Sequence, residues 1–304
     1  MIIKIIDGKR EVMTMDDRDW LILKVLYNEK NITKAAKNLY ISQPALTNRL
    51  QQIEKEFGVQ IVHRGRRGVE FTPQGEYLAK CANQMLLKIQ KIKENVVNME
   101  NRVTGTLRLG VSNYFTDYKL PGLLKLFKNE YPDIEFKVLT GSSSEIAHLI
   151  HSHEVHVAFV KGAYSWNDQK RLLFEESICI ASKDKIDLRE LPNLPRIDYR
   201  TDPLLKTAVD NWWFENYSQP PLISIEVDKA DTCKKMVLNG LGYAILPSLI
   251  LDDADDIYKI DLKSKNGKPI LRKTWMFYHK ESIQLKFVKA FVEFMEKLDF
   301  QKIP

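Results

Sequence analysis

The sequence predicts an α/β protein in three parts: an all-α winged helix-turn-helix at the N-terminus, a long linker helix, and a two-lobe α/β body. Three observations carry this. Two short helical patterns with one tight turn between them, then a basic hairpin, fill residues 31–73. One apolar seam with alternating steps of four and three residues runs from Met85 to Val103. From Thr106 onward strand patterns alternate with helical ones, as parallel-type sheets with helices on their faces require.

Residues 1–14, MIIKIIDGKREVMT, look unlike the rest of the chain, and the helical pattern of Trp20, Leu23, Leu26 and Tyr27 begins only after Asp16-Asp17. This extension is expected to be either a disordered tail or the product of a mis-called start. The head proper spans 15–73. Its first short helix opens at Asn31, an N-cap residue type, and runs through Ala35, Ala36 and Leu39. The next opens at Ser42 with Pro44 in the first turn, where a missing N–H costs nothing. Leu46, Leu50, Ile53 and Phe57 form one stripe on that helix, and Gly58 stops it. The opposite flank carries Gln43, Pro44, Thr47, Asn48 and Gln51.

Such a flank suits the major groove of double-stranded DNA, since Gln and Asn pair bidentately with adenine and a Thr methyl packs on that of thymine. Gln43, Pro44, Thr47, Asn48 and Arg49 are therefore expected to face bases. Ser42, with Arg64, Arg66 and Arg67 on the hairpin after Ile61-Val62, is expected to hold phosphates. Each piece alone has a blander reading, as two packed helices or a solvated hairpin tip. Their order within one short span is what points to DNA.

Thr72-Pro73 starts the linker helix, assigned to 74–103. Met85, Ile89, Ile92, Val96, Met99 and Val103 form a heptad seam, which wants a partner helix; the other possibility is a helix lying on its own domain. Pairing makes sense for a DNA reader, because one recognition helix touches too few bases to be selective and two half-sites add their free energies. Charge is divided in the same sense. Residues 1–100 carry 17 Lys and Arg against 12 Asp and Glu, and the remainder 29 against 28. A basic head on a neutral body suits a polyanion partner.

The string SQPALTNRLQQIEKEFGVQIVHRGRRGVEFTPQGEYL resembles the winged helix-turn-helix of LysR-type transcriptional regulators. Ala35-Ala36, Ser42-Gln43-Pro44-Ala45, Ile53-Glu54, Phe57-Gly58, Arg64, and Thr72-Pro73 with Gly75 fall at that family's spacing. Thr47 stands where Ser is usual and Asn48 where Arg or another long polar residue is. These departures touch the base preference, not the docking mode. The resemblance implies a homodimer through the linker helix, two dimers forming a homotetramer that bends DNA, and a small-molecule effector. It also implies a body built like the periplasmic solute-binding proteins.

That body is assigned to 104–304, with lobe I at about 104–174 and 281–304 and lobe II at about 175–280. Strands are expected at 107–111, 134–138, 155–160, 177–181, 223–227, 243–247 and 274–278. Helices are expected at 120–127, after Ser144, and at 204–214, 231–239 and 283–298, the last packing back on lobe I. The pattern predicts two parallel-type sheets with a cleft between them. In such bodies ligands settle where strand ends face helix starts. Ser112 and Asn113 follow one strand, and Ser142, Ser143 and Ser144 open a helix, where free N–H groups make an anion site. Lys161 and Arg272 fall near strand ends, so a carboxylate suits the set. The plainer reading is a capped helix and two solvated cations. LTGSSSEI, VDKADTCKKM and NGLGYAILPS resemble the citrate-responsive catabolite control subgroup of these regulators. That likeness implies that Ser112, Ser142, Ser143, Lys161 and Arg272 hold carboxylates, with Thr232 helping from lobe II. Lys161 departs from the usual Arg and offers a point charge instead of a fork.

The remaining features point elsewhere. His148, His151, His153 and His156 span a helix end and the next strand, so their nitrogens are not expected to converge on a metal. Trp212-Trp213-Phe214 reads as lobe core. No nucleophile elbow or phosphate loop is present, so no enzyme and no cofactor is expected. Cys81, Cys179 and Cys233 are scattered and read as reduced. With 28% charged residues, mean hydropathy −0.31 and no long apolar run, a cytoplasmic protein without membrane contact is expected. The alternative from another class is a cytosolic solute-binding or transferase-like α/β protein without DNA-binding function.

Overall fold

The computed structural model describes residues 3–6, 9–12, 15–65, 68–100, 102–251, 254 and 256–300. The chain divides into two units, Met1–Val97 and Asn98–Pro304. In the first, β1 (Ile3–Ile6) and β2 (Lys9–Val12) pair antiparallel, where the sequence suggested no regular structure. α1 (Asp17–Glu29) opens on a capping box in which Asp16 accepts from the Asp19 amide and the Asp19 carboxylate accepts from the Asp16 amide. α2 (Ile32–Asn38) is capped by Asn31, and α3 (Gln43–Phe57) by Ser42 with Pro44 in its first turn. Gly58 closes α3 in the left-handed region, at φ 65°. Leu46, Leu50 and Ile53 are fully buried and share one core with Leu23, Leu26 and Ala35.

The wing is the antiparallel pair β3 (Val62–Gly65) and β4 (Gly68–Phe71). Glu54 ties it to α3, since its Oε1 accepts from the amides of Ile61 and Val62 at 2.8 and 3.3 Å. Next comes α4 (Pro73–Asn98), started by the Thr72 hydroxyl, which accepts from the Gly75 amide at 3.0 Å. A Cβ on Gly75 would stand 2.1 Å from the Ile61 carbonyl oxygen, so only glycine lets the helix pass this close. α4 ends at Asn98 and not at Val103. The Asn98 side chain donates to the Gln284 carbonyl and accepts from the Lys286 amide, at 2.9 and 2.7 Å, which draws the chain out of the helix. Met99 and Val103 therefore leave the seam, and Val103 packs on the lobe I core.

Lobe I begins with β5 (Gly105–Ser112), α5 (Asn113–Tyr118), α6 (Leu120–Glu130), β6 (Ile134–Gly141), α7 (Ser143–His151) and β7 (Val157–Lys161). β5 lies between β6 and β7, all parallel. Then come β8 (Gln169–Ser182), β9 (Arg196–Tyr199), α8 (Pro203–Asn216), β10 (Ile223–Val227), α9 (Ala230–Leu238) and β11 (Ala244–Pro247). The chain ends with β12 (Tyr258–Asp261), β13 (Leu271–Tyr278) and α10 (Lys286–Lys297).

The two-lobe α/β build is as expected, but the two separate parallel sheets are not. β8 and β13 run antiparallel through both lobes and join them in one seven-stranded sheet, in the order β11-β8-β13-β7-β5-β6, with β12 also on β8. The first half of β8, QKRLLFEES, mixes charge and apolar residues without clear alternation, so only its last part was legible as strand. β9 and β10 form a separate parallel pair. β13 rejoins lobe I at Thr274, which pairs with Lys161, well before position 281. α10 packs on lobe I as expected, through Phe287, Val288, Phe291 and Met295. Trp212 and Trp213 are lobe II core, whereas Phe214 is 76% exposed.

The Gly75 contact yields the first prediction. Gly75→Ala will destabilise the head by about 1–3 kcal/mol, the usual range for overpacking, read as a lower midpoint in urea unfolding.

Candidate nucleic-acid interface and effector cleft

The flank of α3 opposite its buried stripe is polar and open. Gln43, Pro44, Asn48 and Gln51 are exposed and Thr47 is half-buried. Gln43 donates to the Thr47 hydroxyl at 3.4 Å, one turn along the same flank. Ser42, expected on a phosphate, spends its hydroxyl on the cap, accepting from the Ala45 amide at 3.3 Å. Arg66 and Arg67 lie outside the described residues, as does the side chain of Arg64, whose backbone pairs with Val69.

Arg49 is a correction. Its guanidinium grips the carboxylate of Asp19 with two parallel bonds at 2.5 Å and donates a third to Gln52 Oε1 at 2.8 Å. Asp19 is 1% exposed, and a carboxylate buried so deeply needs a full charge beside it. The partner carboxylate raises the guanidinium pKa further. Arg49 thus holds α3 against α1 and does not project from the reading flank. Sequence reasoning also passed over Tyr40, which sits at φ 55° in the turn before Ser42 and is 96% exposed.

In the body, the expected effector residues meet acids that the chain itself supplies. Ser142 caps α7 through a full capping box with Glu145. Its amide and hydroxyl both donate to Glu145 Oε2, at 2.7 and 2.8 Å, and its hydroxyl accepts from the Glu145 amide. Those bonds hold the Glu145 carboxyl below the usual carboxylate range. Ser144 is exposed, with its hydroxyl 3.0 Å from that of Ser142. Ser143 is buried and accepts from the Lys161 amide at 3.2 Å.

Lys161 and Arg272 are not the solvated cations of the plainer reading, since each has a counterion within the chain. Lys161 is 1% exposed, with Nζ 3.1 Å from Glu176 Oε1. Burial pulls its ammonium down to about 7, against the opposing pull of Glu176. Arg272 is paired with Asp202, which also caps α8 by accepting from the Leu205 amide at 3.0 Å. Two cations thus balance two carboxylates in one cluster, because charges removed from water must be neutralised locally. Neither cation is held out for a ligand in this arrangement. Two neutral groups stand apart from this pairing. Ser112 and Thr274 are buried, and their hydroxyls have no hydrogen-bond partner among the described residues.

Two more residues of the expected set stand at helix starts. Asn113 is exposed at the first position of α5, and Thr232 is half-buried in the first turn of α9. Between those helices Tyr118 donates to Asp231, a contact between the lobes for which the sequence carried no signal. The histidines do not converge. His156 is buried and accepts from the Arg108 amide, whereas His153 stacks on His279 at 4.0 Å. Among the described residues no three His, Cys, Asp or Glu side chains gather as a metal site, and no helix is long and apolar enough to cross a membrane.

These charges make two predictions. Arg49→Ala will cost about 2 kcal/mol of head stability, below the range for fully buried pairs because the guanidinium is partly solvated. It will weaken binding to all DNA sequences alike, which thermal unfolding and a base-by-base binding profile will separate. For Lys161, the folded ammonium titrates near 7 and the unfolded one in its ordinary higher range, so the unfolded chain holds more protons between them. Wild-type stability therefore rises with pH above 7, by up to about 1.4 kcal/mol per unit. Urea unfolding at pH 7, 8 and 9 will show that slope reduced in Lys161→Met/Glu176→Gln.

Comparison with known proteins accords with this architecture. Residues 18–76 match the family model described as bacterial regulatory helix-turn-helix protein, lysR family, and residues 100–299 match the LysR substrate binding domain. The chain is 41% identical over 282 residues to YraN, an uncharacterised helix-turn-helix transcriptional regulator of Bacillus subtilis (strain 168), covering 93% of this chain and 98% of that one. It is 34% identical over 285 residues to YkuM, a second such regulator of the same organism, covering 93% and 97%. The structure of full-length CbnR complexed with its target DNA superposes with a TM-score of 0.65 over 93% of this chain and 99% of that one. At 18% identity that likeness speaks to the fold alone. These relatives are regulators and not enzymes, which removes the solute-binding or transferase-like alternative. With one family model on its head, another on its body, and a 41% identical relative along nearly its whole length, the chain belongs to the LysR family of transcriptional regulators.

Proposed function

We propose that this regulator reads promoter DNA with the exposed flank of α3, and that a small anionic metabolite between the lobes of its body modulates it. The observation that carries the DNA reading is the division of α3 itself. Leu46, Leu50 and Ile53 are fully buried while Gln43, Pro44, Asn48 and Gln51 stand in solvent. Polar side chains of this kind, on the first turns of a capped helix, match base edges in the major groove. In this reading Gln43, Pro44, Thr47 and Asn48 meet bases, and Ser42, Arg64, Arg66 and Arg67 meet phosphates.

The active form is a homodimer through α4, and two dimers make a homotetramer. The support is the seam on α4: Ile92 and Val96 are 56% and 59% exposed and Met85 39%, more apolar surface than a lone helix leaves in water. Three free cysteines and a DNA partner suit the cytoplasm.

For the effector we propose citrate or a similar carboxylate. Ser112 and Thr274 supply buried hydroxyls without hydrogen-bond partners among the described residues, and this reading assigns Ser142, Ser143, Ser144, Asn113 and Thr232 to the same site. A ligand carboxylate would take over Lys161 or Arg272 by exchanging with Glu176 or Asp202. Its affinity therefore reflects the difference between two ion pairs and not the gain of a new one.

In a gel shift with promoter DNA from beside its own gene, Asn48→Ala and Gln43→Ala will each weaken specific binding about tenfold, within the roughly 1–3 kcal/mol of a bidentate base contact. Affinity will fall steeply with added salt. A wild-type protein that ignores duplex DNA at low ionic strength would end the DNA reading. Isothermal titration with citrate will give saturable heat that Ser112→Ala reduces. Silence at millimolar citrate removes the effector clause and leaves the rest standing.

A further inference from the structure

The body holds a cavity of about 550 Å³ that the polar cleft does not account for. Along β13 the side chains alternate between two surroundings. Thr274 pairs with Lys161 and lies in the charge cluster, whereas Lys273, Trp275 and Phe277 line the cavity. Its inner wall is apolar, made by Ile178, Leu205 and Phe277, each at most 5% exposed. At its mouth stand Leu204 and Leu271, both 43% exposed. Tyr164 and Trp275 add two half-buried aromatic rings.

Three cations line this cavity, Lys170, Arg272 and Lys273. Arg272 is paired with Asp202 and Lys273 with Glu175 at 3.0 Å, so Lys170 is the cation that carries the charge of the mouth. Lys170 Nζ lies 5.6 Å from the Trp275 ring centroid, over the aromatic wall. Volume, apolar lining and a few convergent polar groups are the marks of a small-molecule site. Citrate has no apolar body to fill it. A flat hydrocarbon or aromatic body with one anionic group suits both the walls and the cationic mouth. The walls also come from both lobes, with Tyr164 and Trp275 in lobe I and Leu204 and Leu205 of α8 in lobe II.

We propose that this cavity is a second ligand site, for an aromatic monocarboxylate or a monoanion of the same shape, separate from the polar cleft. A ligand there braces α8 against β13 and so favours one lobe arrangement. Only Arg272 and Asp202 belong to both surroundings, and the proposal stands whether or not citrate binds the cleft.

The test is isothermal titration of the full-length protein with 2-naphthoate, with 2-naphthamide as its uncharged counterpart. The expected result is saturable binding of one naphthoate per chain, with the amide at least about threefold weaker. Ala208→Trp, which fills the cavity from α8, will weaken naphthoate about tenfold or more, a difference of about 1.4 kcal/mol. Leu204→Asp, at the exposed mouth and so less demanding of the fold, will do the same. Lys170→Glu will weaken it about threefold, as befits an exposed charge. Saturating citrate will not displace naphthoate, whatever shift in affinity passes through Arg272 and Asp202, which line both surroundings. The proposal is overturned if naphthoate gives no saturable heat at millimolar concentration. It is also overturned if Ala208→Trp and Leu204→Asp, each with an unaltered unfolding transition, bind it like wild type, or if citrate displaces it.

Discussion

The pairing of β8 with β13 is the interaction on which the body of this regulator depends. These two antiparallel strands carry the chain from one lobe to the other and back, and their register sets what meets at the junction. It puts Glu176 opposite Arg272, while β13 puts Thr274 opposite Lys161 on its other edge. The charge cluster is therefore a product of strand register. The same strand carries Lys273, Trp275 and Phe277 on its alternate positions, so the apolar cavity is set by that register too.

Burial of charge governs both units in the same way. In the head Asp19 is enclosed and takes the guanidinium of Arg49, and in the body Lys161 is enclosed and takes Glu176. A charge that leaves water must be neutralised by a neighbour with good geometry. The consequence for recognition is that a cation near a predicted site is not thereby free for a ligand. At the cleft, the buried polar groups without partners among the described residues are two hydroxyls, and the cations facing the cavity are those whose chains reach its rim.

The head was more legible than the body, and the reason is local. Asn31, Ser42 and Thr72 cap helices through bonds to residues a single turn away. The stripe of Leu46, Leu50 and Ile53 comes from helical periodicity alone. Partners distant along the chain left no such mark. Glu54 on the wing amides, Arg49 on Asp19 and Tyr118 on Asp231 each join segments that periodicity does not relate. The early end of α4 belongs with these, since the groups that take Asn98 come from the far end of the chain.

By itself the sequence determined the division into head, linker and two-lobe body and the polar flank of α3. These rest on short-range spacing, which a linear chain displays directly. Only the tertiary structure decided that one continuous sheet joins the lobes, that Lys161 and Arg272 carry internal counterions, and that an apolar cavity lies on the alternate positions of β13. Each of these depends on strand register and on which charge is driven out of water beside which, and both are settled only when distant segments pack.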